Sequence, residues 1–145
     1  MIPESTARLA VCGAHLQGQP LHPVLRRLGA VLVDVTRTAP IYRMVLLAEG
    51  AQPRPGLIRC QTGGAAVEVE VYRIAISALG ALMVTVASPL AIGCVILAGG
   101  EQVLGFVCEG FADTASEDIT RFGSWRKYLA AGPEGHNREA EARTV

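Results

Sequence analysis

The chain has 145 residues, a size that fits one domain with a substantial core, and its 13 Lys and Arg balance its 13 Asp and Glu. No stretch gathers basic residues interleaved with aromatics, so the electrostatic footprint of a nucleic-acid binder is missing, and the expected partner is a small molecule or another protein. The four cysteines, Cys12, Cys60, Cys94 and Cys108, are widely spaced beside aliphatic residues; they read as buried free thiols of a reducing cytoplasm, and with three histidines they form no ligand set, so neither a metal nor any other cofactor is expected.

Met1 to Ala7 carries Glu4 and no apolar run, which does not read as a secretory signal. The apolar run Leu9 to Cys12 predicts a first strand. It breaks at Gly13 into a turn that carries His15, and a glycine there lets successive N–H groups converge on one spot and hold an anion. Leu21 to Gly29, with Pro23 in the first turn and Gly29 as a stop, predicts a short helix. Ala30 to Thr36 and Ile41 to Leu47 are β-branched and aliphatic and predict two strands; residues 48–55, with Gly50, Pro53 and Pro55, predict a loop.

Leu57 to Gln61 reads as a short strand and Gly63-Gly64 as a turn. In Val67 to Tyr72, valines alternate with Glu68, Glu70 and Tyr72, the period of a strand with one apolar face. The carboxylates then lie on a solvated face or, in a curled sheet, line a cavity mouth. Ile74 to Gly100 contains no charged residue, which a hydropathy window alone reads as a membrane span. Pro89, Gly80, Gly93 and three hydroxyl side chains predict instead a helix, a break and a strand, so no membrane association is expected, although the uncharged stretch can hide a homo-oligomer interface.

Ser77 is placed as the cap of a helix over Ala78 to Val86, closed by Pro89. Ile92 to Leu97 and Gln102 to Cys108 predict a hairpin around Gly99-Gly100, where glycines supply positive φ. Ala112 to Asp118 and Ser124 to Ala131 predict helices, the second capped by Ser124 and anchored by Trp125 and Tyr128. Pro133 to Val145 is polar and aperiodic and predicts a disordered tail, so a single domain is expected over residues 1–132. Strands outnumber helices without alternating regularly with them, which excludes a doubly wound parallel sheet and predicts an α+β fold, a small mixed β-barrel with flanking helices.

Several local signatures recur in a fixed order: Gly13-Ala14-His15-Leu16 with Gly18, Pro20 and Leu21; Arg54-Pro55-Gly56-Leu57-Ile58-Arg59; Val67 to Tyr72; Pro89-Leu90 with Ile92-Gly93; Gly105-Phe106-Val107-Cys108-Glu109; and Asp118-Ile119-Thr120 with Gly123, Trp125, Arg126 and Tyr128. Together they resemble the C-terminal domain of allophanate hydrolase over about Leu9 to Leu129. The resemblance implies a gamma-glutamyl cyclotransferase-like fold and a part in decarboxylating N-carboxycarbamate during urea breakdown, beside an amidase that uses a Ser-Ser-Lys constellation. The chain is too short to hold that amidase and looks like the second half alone, so a separate amidase subunit is the implied protein partner and a small carboxylate the implied ligand. The resemblance also places the roles. His15 falls on the acid/base histidine, and Gly13, Ala14, His15 and Leu16 on the loop whose amides hold a carboxylate. Arg54 and Arg59 fall on the basic positions, while Glu70 is a further candidate for the substrate side. His22, Tyr72 and Gly99 depart from the family pattern, which more usually has asparagine, tryptophan and aspartate there. The superfamily's cyclotransferase glutamate has no counterpart in Ala75 to Gly80, so cyclotransferase activity is not expected. A non-catalytic module that binds a small carboxylate or docks on an amidase is the alternative.

Overall fold

The computed structural model describes residues 4–50 and 52–132; the predicted tail lies outside them. The elements in order are β1 (Thr6–Val11), α1 (His22–Arg27), β2 (Val31–Arg37), β3 (Tyr42–Leu47), β4 (Arg54–Arg59), β5 (Glu68–Ala75), α2 (Ile76–Met83), β6 (Leu90–Ile96), β7 (Gln102–Cys108) and β8 (Glu117–Asp118). A last helix, α3, spans residues 125–132. The class is α+β, dominated by sheet with few helices.

The strands form two sheets, of order β2-β5-β1-β7-β6 and β4-β3-β8. β5 runs antiparallel to both β1 and β2, whereas β1 lies parallel to β7, pairing Leu9 with Leu104 and Ala10 with Gly105. Gly105 is required at that crossing: a Cβ there would stand 2.6 Å from Val95 Cγ2 and 3.0 Å from the Ala10 carbonyl oxygen. The expected barrel is not closed. The edge strands β2 and β6 approach each other, but the isolated Thr38–Leu97 bridge replaces a ladder, with Ala39 N–H donating to Ile96 C=O and Ala98 N–H to Arg37 C=O. The sheet therefore curls and touches itself at one corner only.

The core is one large cluster built mainly from β1, β3, β5 and β7 with Leu25 of α1, Leu79 and Leu82 of α2, and Trp125 of α3, beside a smaller one of Val45, Leu47, Ile58, Cys108 and Ala112. The hairpin β6–β7 forms as predicted, with Gly100 at φ 88°, and Ser124 Oγ accepts the Lys127 N–H at 3.0 Å as the cap of α3. The uncharged stretch is a helix, a break and a strand, and no helix among the described residues is long and apolar enough to cross a membrane.

Four local expectations are corrected. Ser77 does not cap α2, whose N-cap is Ala75; its hydroxyl donates to Glu4 instead. Ala112 to Asp118 is not helical: after a 3-10 turn at Gly110–Ala112, β8 pairs with β3 through Asp118–Val45 and Glu117–Leu46. The fourth strand begins at Arg54 rather than Leu57, because Pro55 is tolerated on an edge strand where no second ladder needs its missing N–H. All four cysteines are free, but only Cys12 and Cys108 are buried, Cys60 being half-buried and Cys94 exposed.

Candidate functional site

β1 is central in its sheet, and the chain leaves its carboxyl end at Cys12 into a compact turn. Leu16 N–H donates to Gly13 C=O, Gln19 N–H to Leu16 C=O and Leu21 N–H to Ala14 C=O, at 2.8–3.0 Å. His22 closes the far side, its Nδ1–H donating to the His15 carbonyl at 3.0 Å. Gly13 is needed because the turn packs directly on β4: a Cβ there would meet Pro55 Cδ at 2.5 Å and Cγ at 2.6 Å. That close approach sets Arg54, the neighbour of Pro55, beside the turn.

The turn, Arg54 and Pro55, the chain after α2 and the β7 residue Phe106 enclose a cavity of about 240 Å3. Its polar lining is Cys12, Gly13, Ala14, His15, Arg54 and Thr85, and the remaining wall is apolar. Among the described residues no carboxylate is within ion-pair distance of Arg54, and the N–H groups of Ala14 and His15 donate no hydrogen bond. Arg54 and the turn that carries these two undonated amides therefore line the same largely apolar cavity, and they are donors of the kind that hold a carboxylate.

The His15 ring stacks on Phe106, with centroids 4.7 Å apart and planes at 18°. Burial, reinforced by the nearby His22, lowers its pKa to about 4, so the resting imidazole is neutral at pH 7. Burial pushes the neighbouring Cys12 thiol up to about 12, which removes it as a thiolate nucleophile.

The predicted residues do not all meet. Gly13, Ala14, His15 and Arg54 line the cavity. Leu16 is buried beneath the turn with its N–H committed to Gly13. Arg59 is exposed at the opposite end of β4 from Arg54. Glu70 is 3% exposed and does not line the cavity. Its Oε1 accepts the Gln17 N–H at 2.9 Å and the Tyr72 hydroxyl at 2.8 Å, and its Oε2 accepts Arg126 Nη2 at 2.9 Å. Burial pushes the Glu70 carboxyl up, but these hydrogen bonds outweigh it and hold the group below its ordinary value. Sequence reasoning missed Phe106 as the stacking partner of His15, because only the parallel β1–β7 pairing brings it there. Among the described residues no group of acidic, histidine or cysteine side chains can hold a metal ion.

The family model for the allophanate hydrolase C-terminal domain matches residues 7–130. The chain belongs to that family. Urea amidolyase of Saccharomyces cerevisiae is 38% identical over 131 residues, 88% of this chain and 7% of the yeast protein. The structure of Kluyveromyces lactis allophanate hydrolase is 37% identical with a TM-score of 0.83, over 87% of this chain and 21% of that one. A uropathogenic E. coli-specific protein of known structure is 35% identical with a TM-score of 0.80, over 87% of this chain and 97% of its own. This allophanate hydrolase C-terminal domain thus spans a small fraction of the yeast relatives and nearly the whole of the bacterial one.

Proposed function

We propose that the chain decarboxylates N-carboxycarbamate, or a closely related small carboxylate, in allophanate and urea breakdown, acting beside a separate amidase. The observation that carries this reading is the cavity, which His15 lines together with Arg54, a cation without an ion-pair partner among the described residues, and with the turn that bears two undonated amides; membership of the allophanate hydrolase C-terminal domain family supports the substrate class.

One carboxylate of the dianion sits on Arg54 and the Ala14 and His15 N–H groups, where charge-assisted contacts against a largely apolar wall are strong. The C–N bond to the other carboxylate breaks, carbon dioxide leaves, and the electron pair stays on nitrogen, which takes a proton from the His15 imidazolium to give carbamate. Proton delivery of this kind contributes about two to four powers of ten in rate. The resting histidine is neutral, so the proton must arrive with the substrate, whose negative charge raises the imidazole pKa.

That neutrality also favours a second reading, a module that binds a small carboxylate or docks on an amidase without turnover. His15→Asn separates the two. The decarboxylase loses its acceleration of freshly generated N-carboxycarbamate, whereas a module still binds and supports its partner. A variant as active as the wild type would remove His15 from the chemistry.

A further inference from the structure

Gln17, two residues beyond His15, has both halves of its backbone held from outside the turn. Its N–H donates to Glu70 Oε1 at 2.9 Å. Its C=O accepts Arg126 Nη2 at 2.8 Å, and the same nitrogen donates to Glu70 Oε2 at 2.9 Å. Tyr72 completes the carboxylate's partners at 2.8 Å. Three elements distant in sequence, the site turn, β5 and α3, meet in this cluster, and none of its members lines the cavity.

From this geometry we infer that Glu70 and Arg126 are positioning residues, a charged clamp that fixes the turn so that the His15 ring faces the cavity from its seat on Phe106. Holding α3 in place does not require the pair, since Trp125, 3% exposed, already anchors that helix in the core. Nor is an ion pair between a half-exposed arginine and a buried carboxylate a strong source of stability, because desolvating the carboxylate offsets much of the attraction. What the pair does supply is direction: a carboxylate with donors on both oxygens and an arginine bridging it to Gln17 C=O leave the turn one arrangement. The remaining turn hydrogen bonds, Leu16 to Gly13, Gln19 to Leu16, Leu21 to Ala14 and those His22 makes to Gln19 and His15, lie within the segment from Gly13 to His22 and do not orient it against the sheet.

The clamp's importance rests on His15 being the working group of the site, so the test reads the ring itself and needs no substrate. In the wild type, NMR should show His15 ring protons shifted by the Phe106 ring current and a His15 titration near pH 4. Arg126→Ala and Glu70→Gln should collapse the ring-current shift and raise the His15 pKa by about one unit or more as the ring gains solvent. Malonate affinity should fall about tenfold alongside, and Arg126→Lys, which keeps one donor between Gln17 C=O and Glu70, should recover part of each effect. Arg43→Ala, which removes the Arg43–Asp113 pair away from the turn, should leave His15 unchanged. Should Glu70→Gln not fold, Arg126→Ala, whose side chain is 38% exposed, decides alone. A folded Arg126→Ala protein with wild-type His15 shifts, titration and malonate affinity overturns the clamp. Loss of turnover by His15→Asn with no effect of Arg126→Ala would leave the decarboxylase standing without it.

Discussion

Binding of a dianion to this site should take up a proton from solution, and the amount follows from the surroundings of His15. In the free protein the imidazole pKa is near 4, because burial and His22 disfavour the cation. A carboxylate brought to about 4 Å from the ring attracts the imidazolium by about 4 kcal/mol at an effective dielectric constant of about 20. Since one pKa unit corresponds to about 1.4 kcal/mol, the bound-state value rises by about three units, to about 7. Between these two values the ligand stabilises the protonated form, so affinity rises as pH falls from about 7 and levels off below about 4. At pH 7 roughly half a proton is taken up per dianion bound. The assay is calorimetric titration of malonate at pH 7 in buffers of different ionisation enthalpy, where the slope of observed heat against buffer enthalpy counts protons. The wild type should give about half a proton and His15→Asn close to none. A wild-type slope of zero with malonate bound would refute the assignment of His15 as proton carrier.

Two further outcomes depend on the same geometry. Gly13→Ala must push the turn off the Pro55 ring, so it should cost about 1–3 kcal/mol of stability and weaken malonate binding together; paired thermal denaturation curves with and without malonate check both, and a variant with wild-type Tm would mean that the approach to Pro55 is not tight. Arg54→Gln should lower malonate affinity about 10- to 100-fold, the loss of a charge-assisted contact worth about 1.5–3 kcal/mol, with the free protein's Tm unchanged. Arg59→Gln, at the exposed end of the same strand, should bind malonate like the wild type, and equal losses from the two arginines would place the ligand elsewhere.

Much of this fold was legible because its signals are local. The Gly99-Gly100 hairpin, the helix expected over Leu21 to Gly29 and the Ser124 cap each depend on residues within a few positions of one another. What escaped depends on remote partners. Alternation in Val67 to Tyr72 correctly separated two faces of β5, yet Glu70 and Tyr72 are buried with the valines, because β5 is an interior strand and the site turn and α3 cover its second face. Alternation tells which residues share a face and not what covers it. Residues 112–118 had the composition of a helix, but a ladder to β3 and the Arg43–Asp113 ion pair, seventy residues apart in sequence, hold them otherwise. In the site, the glycine turn marked Gly13 and His15 by itself, and Arg54 joined them only through the resemblance to the allophanate hydrolase C-terminal domain. The stacking of His15 on Phe106 could not be read at all before the parallel pairing of β1 and β7 was known.

N-carboxycarbamate also breaks down unaided, so the decisive quantity is the dependence of carbon dioxide release on this protein. An amidase that lacks this domain is given allophanate, and release is followed at constant amidase and increasing concentrations of the chain. Decarboxylation in the His15 cavity predicts a rate that climbs in proportion to the chain and a His15→Asn series that stays on the unaided baseline. A wild-type series that also stays on that baseline, with the amidase step unchanged, would contradict it.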